Sequence, residues 1–509
     1  LDQEYELAPP PVRSLVESLR GVGYSVPTAI ADLVDNSISA GARTVWLTFA
    51  YHGRDSYVSL LDDGRGMDDR GLYRAMILGS RNPTAPRDLS DLGRFGLGLK
   101  TASFSQCRRL TVASRRDGSL TVKRWDLDHI ARSDVSDWHL LSGAAPGSES
   151  RLAALDALSA GTLVLWERLD RITDGWTDGP RSHDAFLALV DRVEEHLAMV
   201  FHRYLEGSSP DLRIFINGIT EAARIRPWDP FLADAAATIR TPLDRITTPS
   251  GTVEVRGYVL PHKEFLAAKE YEAGGGPEGW TAQQGFYVYR NRRMLVAGGW
   301  LGLGDHRAWT REEPHKLARI QLDIPNTADE DWNIDIKKSA ARPPPQLRPR
   351  LKALADYVRT QAKQVFAHRG SYGKASTPAD LVQAWRTTEV NSAAGYRIAR
   401  DHPAVRRVIE LAGTNTAAVE AMLRILEETV PVQRIWLDAV DRGEVRPAAF
   451  AGQPPAELQG VLEGLYRHLT RKVGLRPPEA RQRLLSTEPF QNYPEMVAAL
   501  ADPSTTETT

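Results

Sequence analysis

The sequence holds one cysteine, Cys107, in 509 residues. A single thiol excludes an internal disulfide framework and leaves no cysteine set for a structural zinc site. Long apolar runs are missing too: none approaches the roughly 18 residues of a membrane-crossing helix. Net charge is close to absent, with 64 Lys and Arg against 65 Asp and Glu for a formal −1. No whole-molecule field therefore draws the chain to nucleic acid or to an anionic membrane. The opening residues are acidic and proline-rich and contain no signal-peptide core. A cytoplasmic protein without a membrane segment is the simplest reading. The apolar fraction of 42% and charged fraction of 25% are those of an ordinary globular protein. The length calls for roughly two to four domains rather than one core.

Residues 1–205 alternate strand-like and helix-like patterns. Residues 206–345 mix the two, with strands expected at 212–217, 251–260 and 285–290. A proline-rich break at 342–349 precedes a helical pattern over 351–366, and a Gly/Ser/Lys linker follows near 370–376. From Pro378 onward only helices are expected, for instance over 418–428 and 457–469, with Trp385 and Trp436 read as core.

Three local patterns carry chemistry. Residues 28–40 form an amphipathic helix entered through Pro27, which suits a first turn that needs no amide donor. At about 100° per residue, Ile30, Leu33, Val34 and Ile38 share one arc, and Asp32, Asp35, Asn36 and Ser39 the other. Asp32 and Asn36, four apart, stand one above the other. A solvated helix face would look the same. The apolar run 57–61 then ends in Asp62-Asp63-Gly64-Arg65-Gly66-Met67. A carboxylate at a strand end, beside glycines that let a flat ligand approach the backbone, can accept a hydrogen bond from an exocyclic amine. Asp-Gly is also a plain turn signal. Finally, Gly93, Gly96 and Gly98 lead into a helix that carries Lys100, leaving amide donors for an anion. Leu99 and Thr101 break the Walker A and dinucleotide fingerprints respectively.

The order and spacing of all three resemble the nucleotide site of the GHKL superfamily, the Bergerat fold of gyrase B, MutL, MORC proteins, histidine kinases and the heat-shock chaperone of that fold. Its helix motif Glu-x-x-x-Asn corresponds to Asp32 and Asn36, its Asp-x-Gly-x-Gly to Asp62, Gly64 and Gly66, and its Gly-x-x-Gly-x-Gly to residues 93–98. A Gly-Thr before a strand corresponds to Gly161 and Thr162. The resemblance implies an α/β sandwich ATPase domain over 1–205 and an S5-like mixed α/β transducer domain over 206–370. An all-helical C-terminal domain over 375–509 would follow. ATP and Mg²⁺ are the implied cofactors. Asn36 would ligate the metal. Asp62, Gly64, Gly66, Met67 and Thr162 would hold the adenine side, and Gly93, Phe95, Gly96, Leu97, Gly98, Lys100 and Thr101 the phosphate side. Residues 79–92 would form the lid.

Asp32 replaces the usual Glu of the hydrolytic base and is one methylene shorter, which leaves hydrolysis open to being slow. The stretch 332–339 is similar to the lysine loop of MutL, with Lys338 as the phosphate-sensing cation and Lys337 as the alternative. No metal beyond Mg²⁺ is expected, since His129, His139, His183, His196 and His202 lack ligand spacing. Between Arg342 and Lys374 eight basic residues (342, 348, 350, 352, 359, 363, 369, 374) face one acid, Asp356. DNA phosphates or plain solvation would account for that run. The implied function is an ATP-driven switch that dimerises on ATP binding and acts in DNA repair or defence, with protein partners docking on 375–509. A low-turnover ATP-binding scaffold is the alternative.

Overall fold

The computed structural model describes residues 11–21, 23–79, 98–132, 137–173, 180–328, 331, 332, 334, 341–367, 382–390, 393–431 and 456–502. The chain divides into two compact units, Leu1–Ala367 and His368–Thr509.

The first unit opens with α1 (Val12–Arg20) and α2 (Val26–Ser39), then β1 (Thr44–Ala50), β2 (Tyr57–Asp62), α3 (Asp69–Met76) and α4 (Gly98–Phe104). It continues through β3 (Arg109–Arg116), β4 (Ser119–Asp126), α5 (Leu127–Ile130), β5 (Leu141–Ser142) and β6 (Gly161–Glu167). Helices α6 (Asp170–Thr173), α7 (Pro180–Val200) and α8 (His202–Leu205) lead into β7 (Arg213–Ile216). These strands form one seven-stranded sheet in the order β5-β4-β3-β6-β2-β1-β7. Every pairing is antiparallel except β1 with β7. Strand β7 lies in the range expected for the second domain, yet it completes the first sheet. A boundary at 205 would cut that sheet.

Strand alternation divides the core. On β6, Val164 and Trp166 join the main core with Ile30 and Val34 of α2 and Phe186, Val193 and Leu197 of α7. Leu163 and Leu165 point the other way and pack under the short helical segment that contains Leu152 and Leu155. Buried on both faces, β6 is the central strand that fixes the height of its neighbours.

The second sheet is built from β8 (Ile239–Arg240), β9 (Asp244–Thr248), β10 (Gly251–Val259), β11 (Gly285–Arg290), β12 (Arg293–Ala297) and β13 (Ala318–Ile324), with α9 (Ala268–Gly275) in the β10–β11 connection. The order is β12-β11-β13-β10-β8, with β9 on β10. Strands β11 and β13 run parallel. Helix α10 (Arg348–Ala367) lays Leu351, Ala355, Val358 and Ala362 on this sheet. It sits close because Gly257 has no side chain; a Cβ there would meet Val358 Cγ2 at 2.3 Å. This sheet with its covering helix is mixed α/β, as expected for this stretch.

The second unit contains β14 (Trp385–Val390) and β15 (Ala393–Ile398), α11 (Pro403–Ala412), α12 (Thr416–Glu428), α13 (Ala456–Arg471), α14 (Pro477–Leu485) and α15 (Pro494–Ala498). It is mainly helical as expected, with one correction: β14 and β15 form a hairpin where only helices were read. Trp385 also departs from its reading as core, being 41% exposed. Leu462, Leu465, Tyr466, Leu484 and Phe490 form the small core of this unit. Among the described residues no helix is long and apolar enough to cross a membrane.

Candidate functional site

The site grows from the C-terminal end of β2. Asp62 pairs in register with Thr162 on β6, and Thr162 pairs with Ser114 on β3. The rows beneath them, Leu60, Val164 and Val112, are core. The polar row therefore caps the apolar face of the sheet on the same side as α2. Ser114 and Thr162 hydroxyls lie 3.0 Å apart, and Ser114 Oγ accepts from the Met67 amide at 2.8 Å. Asp62, 4% exposed, accepts from Ser37 Oγ of α2 at 2.9 Å and from the Gly64 amide at 2.9 Å. Burial pushes its carboxyl from the ordinary 3.8 up to about 6. The Gly64 amide, the Ser37 hydroxyl and the Thr162 amide pull the other way, and Asp63 adds to the rise.

The two glycines after Asp62 are demanded by this packing. Gly66 has φ +62°, and a Cβ there would fall 1.9 Å from the Arg115 carbonyl oxygen. At Gly64 a Cβ would reach Ala40 Cβ and Asp62 Oδ1, each at 2.9 Å. Asp63 serves the backbone instead. Its Oδ1 accepts from the Arg43 and Thr44 amides at 2.7 and 2.8 Å, which ties the turn to the start of β1.

Helix α2 departs from the simple amphipathic picture. Asp32 and Asp35 are buried, at 5% and 2% exposure, while Asn36 is exposed. Two buried carboxylates on a polar arc require partners. Asp32 Oδ2 accepts from the Tyr24 hydroxyl at 2.9 Å. The Tyr24 carbonyl is in turn held by Gln106 at 2.9 Å. Asp35 takes Arg293 of β12, whose Nε stands 3.0 Å from each carboxylate oxygen. The start of α4 lies against the same place, since a Cβ on Gly98 would stand 3.4 Å from Asp32 Oδ2. An exposed amide oxygen beside a buried carboxylate suits a hard, partly hydrated cation such as Mg²⁺, which takes few protein ligands. Asn36 is the residue that would hold it.

Lys100, expected on the phosphate side, is buried against α3. It is 2% exposed, and its Nζ donates to the Ala75 carbonyl at 2.9 Å, near the C-terminal end of α3. A cation there meets the negative end of a helix. Thr101, 3% exposed, is packed inside the module. Gly93, Phe95, Gly96, Leu97, Lys337, Lys338 and all of 79–92 beyond Gly79 lie outside the described residues. The base of the lysine stretch is described: Trp332 and Ile334 are in the second core, and the Arg342 amide donates to the Trp332 carbonyl at 2.8 Å.

Sequence reading missed Tyr24, Ser37 and Ser114. Ser37 could have been found, because it lies on the helix motif one residue from Asn36. Ser114 and Tyr24 carry no spacing signal.

A family model described as histidine kinase-, DNA gyrase B-, and HSP90-like ATPase matches residues 24–162. This part of the chain is thus similar to the ATPase domain of the GHKL class. Within that class the chain is similar to the ATPase morc-1 of Caenorhabditis elegans, 33% identical over 95 residues, or 19% of this chain and 11% of that protein. It is also similar to the DNA mismatch repair protein MutL of Rhodospirillum rubrum, 34% identical over 93 residues, or 18% of this chain and 15% of that protein. The matches thus span a small part of each relative's length.

The raised carboxyl has a sign that can be checked. A folded-state value of about 6 against an ordinary 3.8 means that Asp62 favours folding when protonated. That contribution is complete below about pH 4 and lost as pH rises through about 6. Asp62→Asn should therefore stabilise the ligand-free protein at pH 7.5 by roughly 1–3 kcal/mol while weakening adenine-nucleotide binding. Urea unfolding of both proteins at pH 4.5 and 7.5, with nucleotide titration alongside, checks this. An equal difference at both pH values would contradict it.

Proposed function

We propose that the chain is an ATP-binding and ATP-hydrolysing conformational switch. The observation that supports it best is the Asp62–Thr162–Ser114 row, lying under a helix that carries exposed Asn36 beside buried Asp32. The adenine amine donates to Asp62, and the ring lies over Gly64 and Gly66 with Met67 and Thr162 beside it. The phosphates run toward Asn36 and the start of α4 at Gly98, and Gly93, Phe95, Gly96 and Leu97 are the further residues that the family resemblance assigns to them. Bound Mg²⁺ supplies neutralisation of phosphate charge, with Asn36 as its protein ligand. Asp32 accepts the proton of the water that attacks the terminal phosphorus, while the Tyr24 hydroxyl fixes the carboxylate's orientation. Lys338, or Lys337 beside it, is the cation that the resemblance assigns to the terminal phosphate, where it would offset charge as the phosphorus–oxygen bond to the leaving nucleoside diphosphate breaks.

ATP-dependent homodimerisation, a cytoplasmic setting and protein partners on 375–509 complete the reading. A DNA-related role rests on the likeness to morc-1 and MutL and on the basic segment. Much of that segment's charge is already engaged. Arg350 pairs with Asp244, Lys352 with Asp305 and Asp356, and Arg359 stacks on Trp300 and Trp309. Arg342 and Lys363 remain exposed for phosphate contact. The alternative, a low-turnover ATP-binding scaffold, is favoured by the shorter Asp32 side chain and its commitment to Tyr24.

Two experiments separate these readings. Binding and steady-state hydrolysis of ATP are measured for wild type, Asp32→Asn and Asn36→Ala. The switch requires wild-type turnover, Asp32→Asn that binds ATP with turnover down by about 10² or more, and Asn36→Ala that loses Mg²⁺-dependent affinity. Wild-type turnover no faster than Asp32→Asn would leave the scaffold. For DNA, Arg342→Glu with Lys363→Glu should weaken duplex binding and flatten its salt dependence by about one to two in slope. Unchanged binding would remove the segment from that role.

A further inference from the structure

Asp35 belongs to the nucleotide helix, but it takes no part in the reaction just proposed. Its partner lies 258 positions away, on the other sheet. The side chains of Asp35 and Arg293 are 2% and 4% exposed. Desolvating two charges is costly, and a buried pair is seldom the most stable way to fill such a space. Its distinctive property is directional. Arg293 Nε meets both oxygens of Asp35, and its Nη1 donates to the Met294 carbonyl at 2.8 Å. The guanidinium is thereby locked to its own strand and to α2 together. His196 of α7 sits beside the pair and is held neutral, lowered to about 4 by burial first and by the Arg293 charge next, with Asp35 opposing.

Arg293 begins β12 directly after a two-residue turn, Asn291 and Arg292, in which both residues have positive φ (46° and 65°). Such a turn makes a tight hairpin whose tip moves with its strands. The hairpin is tied to the first module by several further contacts. Tyr204 Oη donates to the Asn291 carbonyl at 2.5 Å, and Arg292 pairs with Asp211. Arg203 lies over the Tyr289 ring at 3.5 Å and pairs with Asp323 of β13 at 2.5 Å. These contacts fall on α8 and the segment before β7. The Arg293 contact alone among them lands on α2, one residue before Asn36 and three after Asp32.

We propose that Asp35 and Arg293 are a positioning pair that couples the second sheet to the nucleotide helix. The pair sets the rotation of α2, and with it the stance of Asn36 and Asp32, according to where the β11–β12 hairpin stands. By reciprocity, occupying the nucleotide site biases the hairpin. The inference rests on the nucleotide reading above.

The test is hydrogen exchange on the full chain, with and without Mg·ATP at a concentration that calorimetry shows to be saturating. The variant is Asp35→Leu combined with Arg293→Met, which strands no buried charge. In wild type, Mg·ATP should slow exchange over residues 285–297 by about tenfold, besides its direct effect at 57–67. The double variant should keep its melting temperature and the effect at 57–67 but lose the slowing at 285–297. Loss of its Mg·ATP binding at an unchanged melting temperature would also support positioning, since neither side chain is assigned to the nucleotide. Equal slowing in both proteins, or none in a wild type that binds ATP, would overturn the pair's role. A wild type that binds no ATP would instead overturn the functional reading. If the double variant does not fold, Arg293→Lys, which keeps the charge but lacks the Nε donor, is read by the same outcomes.

Discussion

A carboxylate held out of water at the end of a strand organises the nucleotide module. Asp62 ends the central part of the first sheet, and burying it demands donors. The chain supplies them from the Gly64 amide in the turn, from Ser37 on α2 and from the Thr162 amide on the neighbouring strand. Each donor fixes one element. The turn is forced into a path that only glycine can follow at position 66, and α2 is brought down over the polar row. Because α2 is seated there, Asn36 and Asp32 take their places. In the proposed reading, recognition of a base and handling of phosphates both descend from this one buried charge.

The second sheet meets this arrangement through polar contacts rather than an apolar seam alone. Arg203 and Tyr204 on α8 and Asp211 before β7 meet β13 and the β11–β12 hairpin, and Arg293 of that hairpin meets Asp35 on α2. Charged contacts specify one relative position, whereas an oily interface would tolerate several. That specificity is what a device needs if a change at the nucleotide is to be felt elsewhere in the same unit. The same compensation explains why α10 is a poorer candidate for a nucleic-acid surface than its sequence suggests. Arg350, Lys352 and Arg359 are engaged by Asp244, by Asp305 and Asp356, and by two tryptophan rings.

What could be read from the sequence was local. Asp62 at a strand end, glycines at 64 and 66, and Asp32 above Asn36 on a helix follow from short-range spacing. The structure supplies the reasons, down to the carbonyl that any side chain at 66 would strike. The strands near 251–260 and 285–290 and the helix over 351–366 were legible from their apolar periods. What depended on distant partners was not. Nothing in a short apolar strand at 213–216 says which of two sheets it will join. The run Trp385–Val390 contains arginine and two threonines and lacks the alternation that announces a strand. Asp35 looked like a solvated residue because its counter-charge is 258 positions away. The contact of Lys100 with the Ala75 carbonyl was not legible, because that carbonyl belongs to a different helix.

The central claim is that Asp62 makes this an adenine site, and competition between bases tests it most directly. Calorimetric titration of the full chain with Mg·ATP and Mg·GTP at pH 7.5 compares a ligand that offers an amine to the carboxylate with one that offers a carbonyl oxygen. The account predicts saturable ATP binding and GTP binding weaker by about 10² or more, because an ionised Asp62 facing an acceptor is left unpaired. Equal affinity for the two nucleotides, or no heat of ATP binding at all, would contradict it.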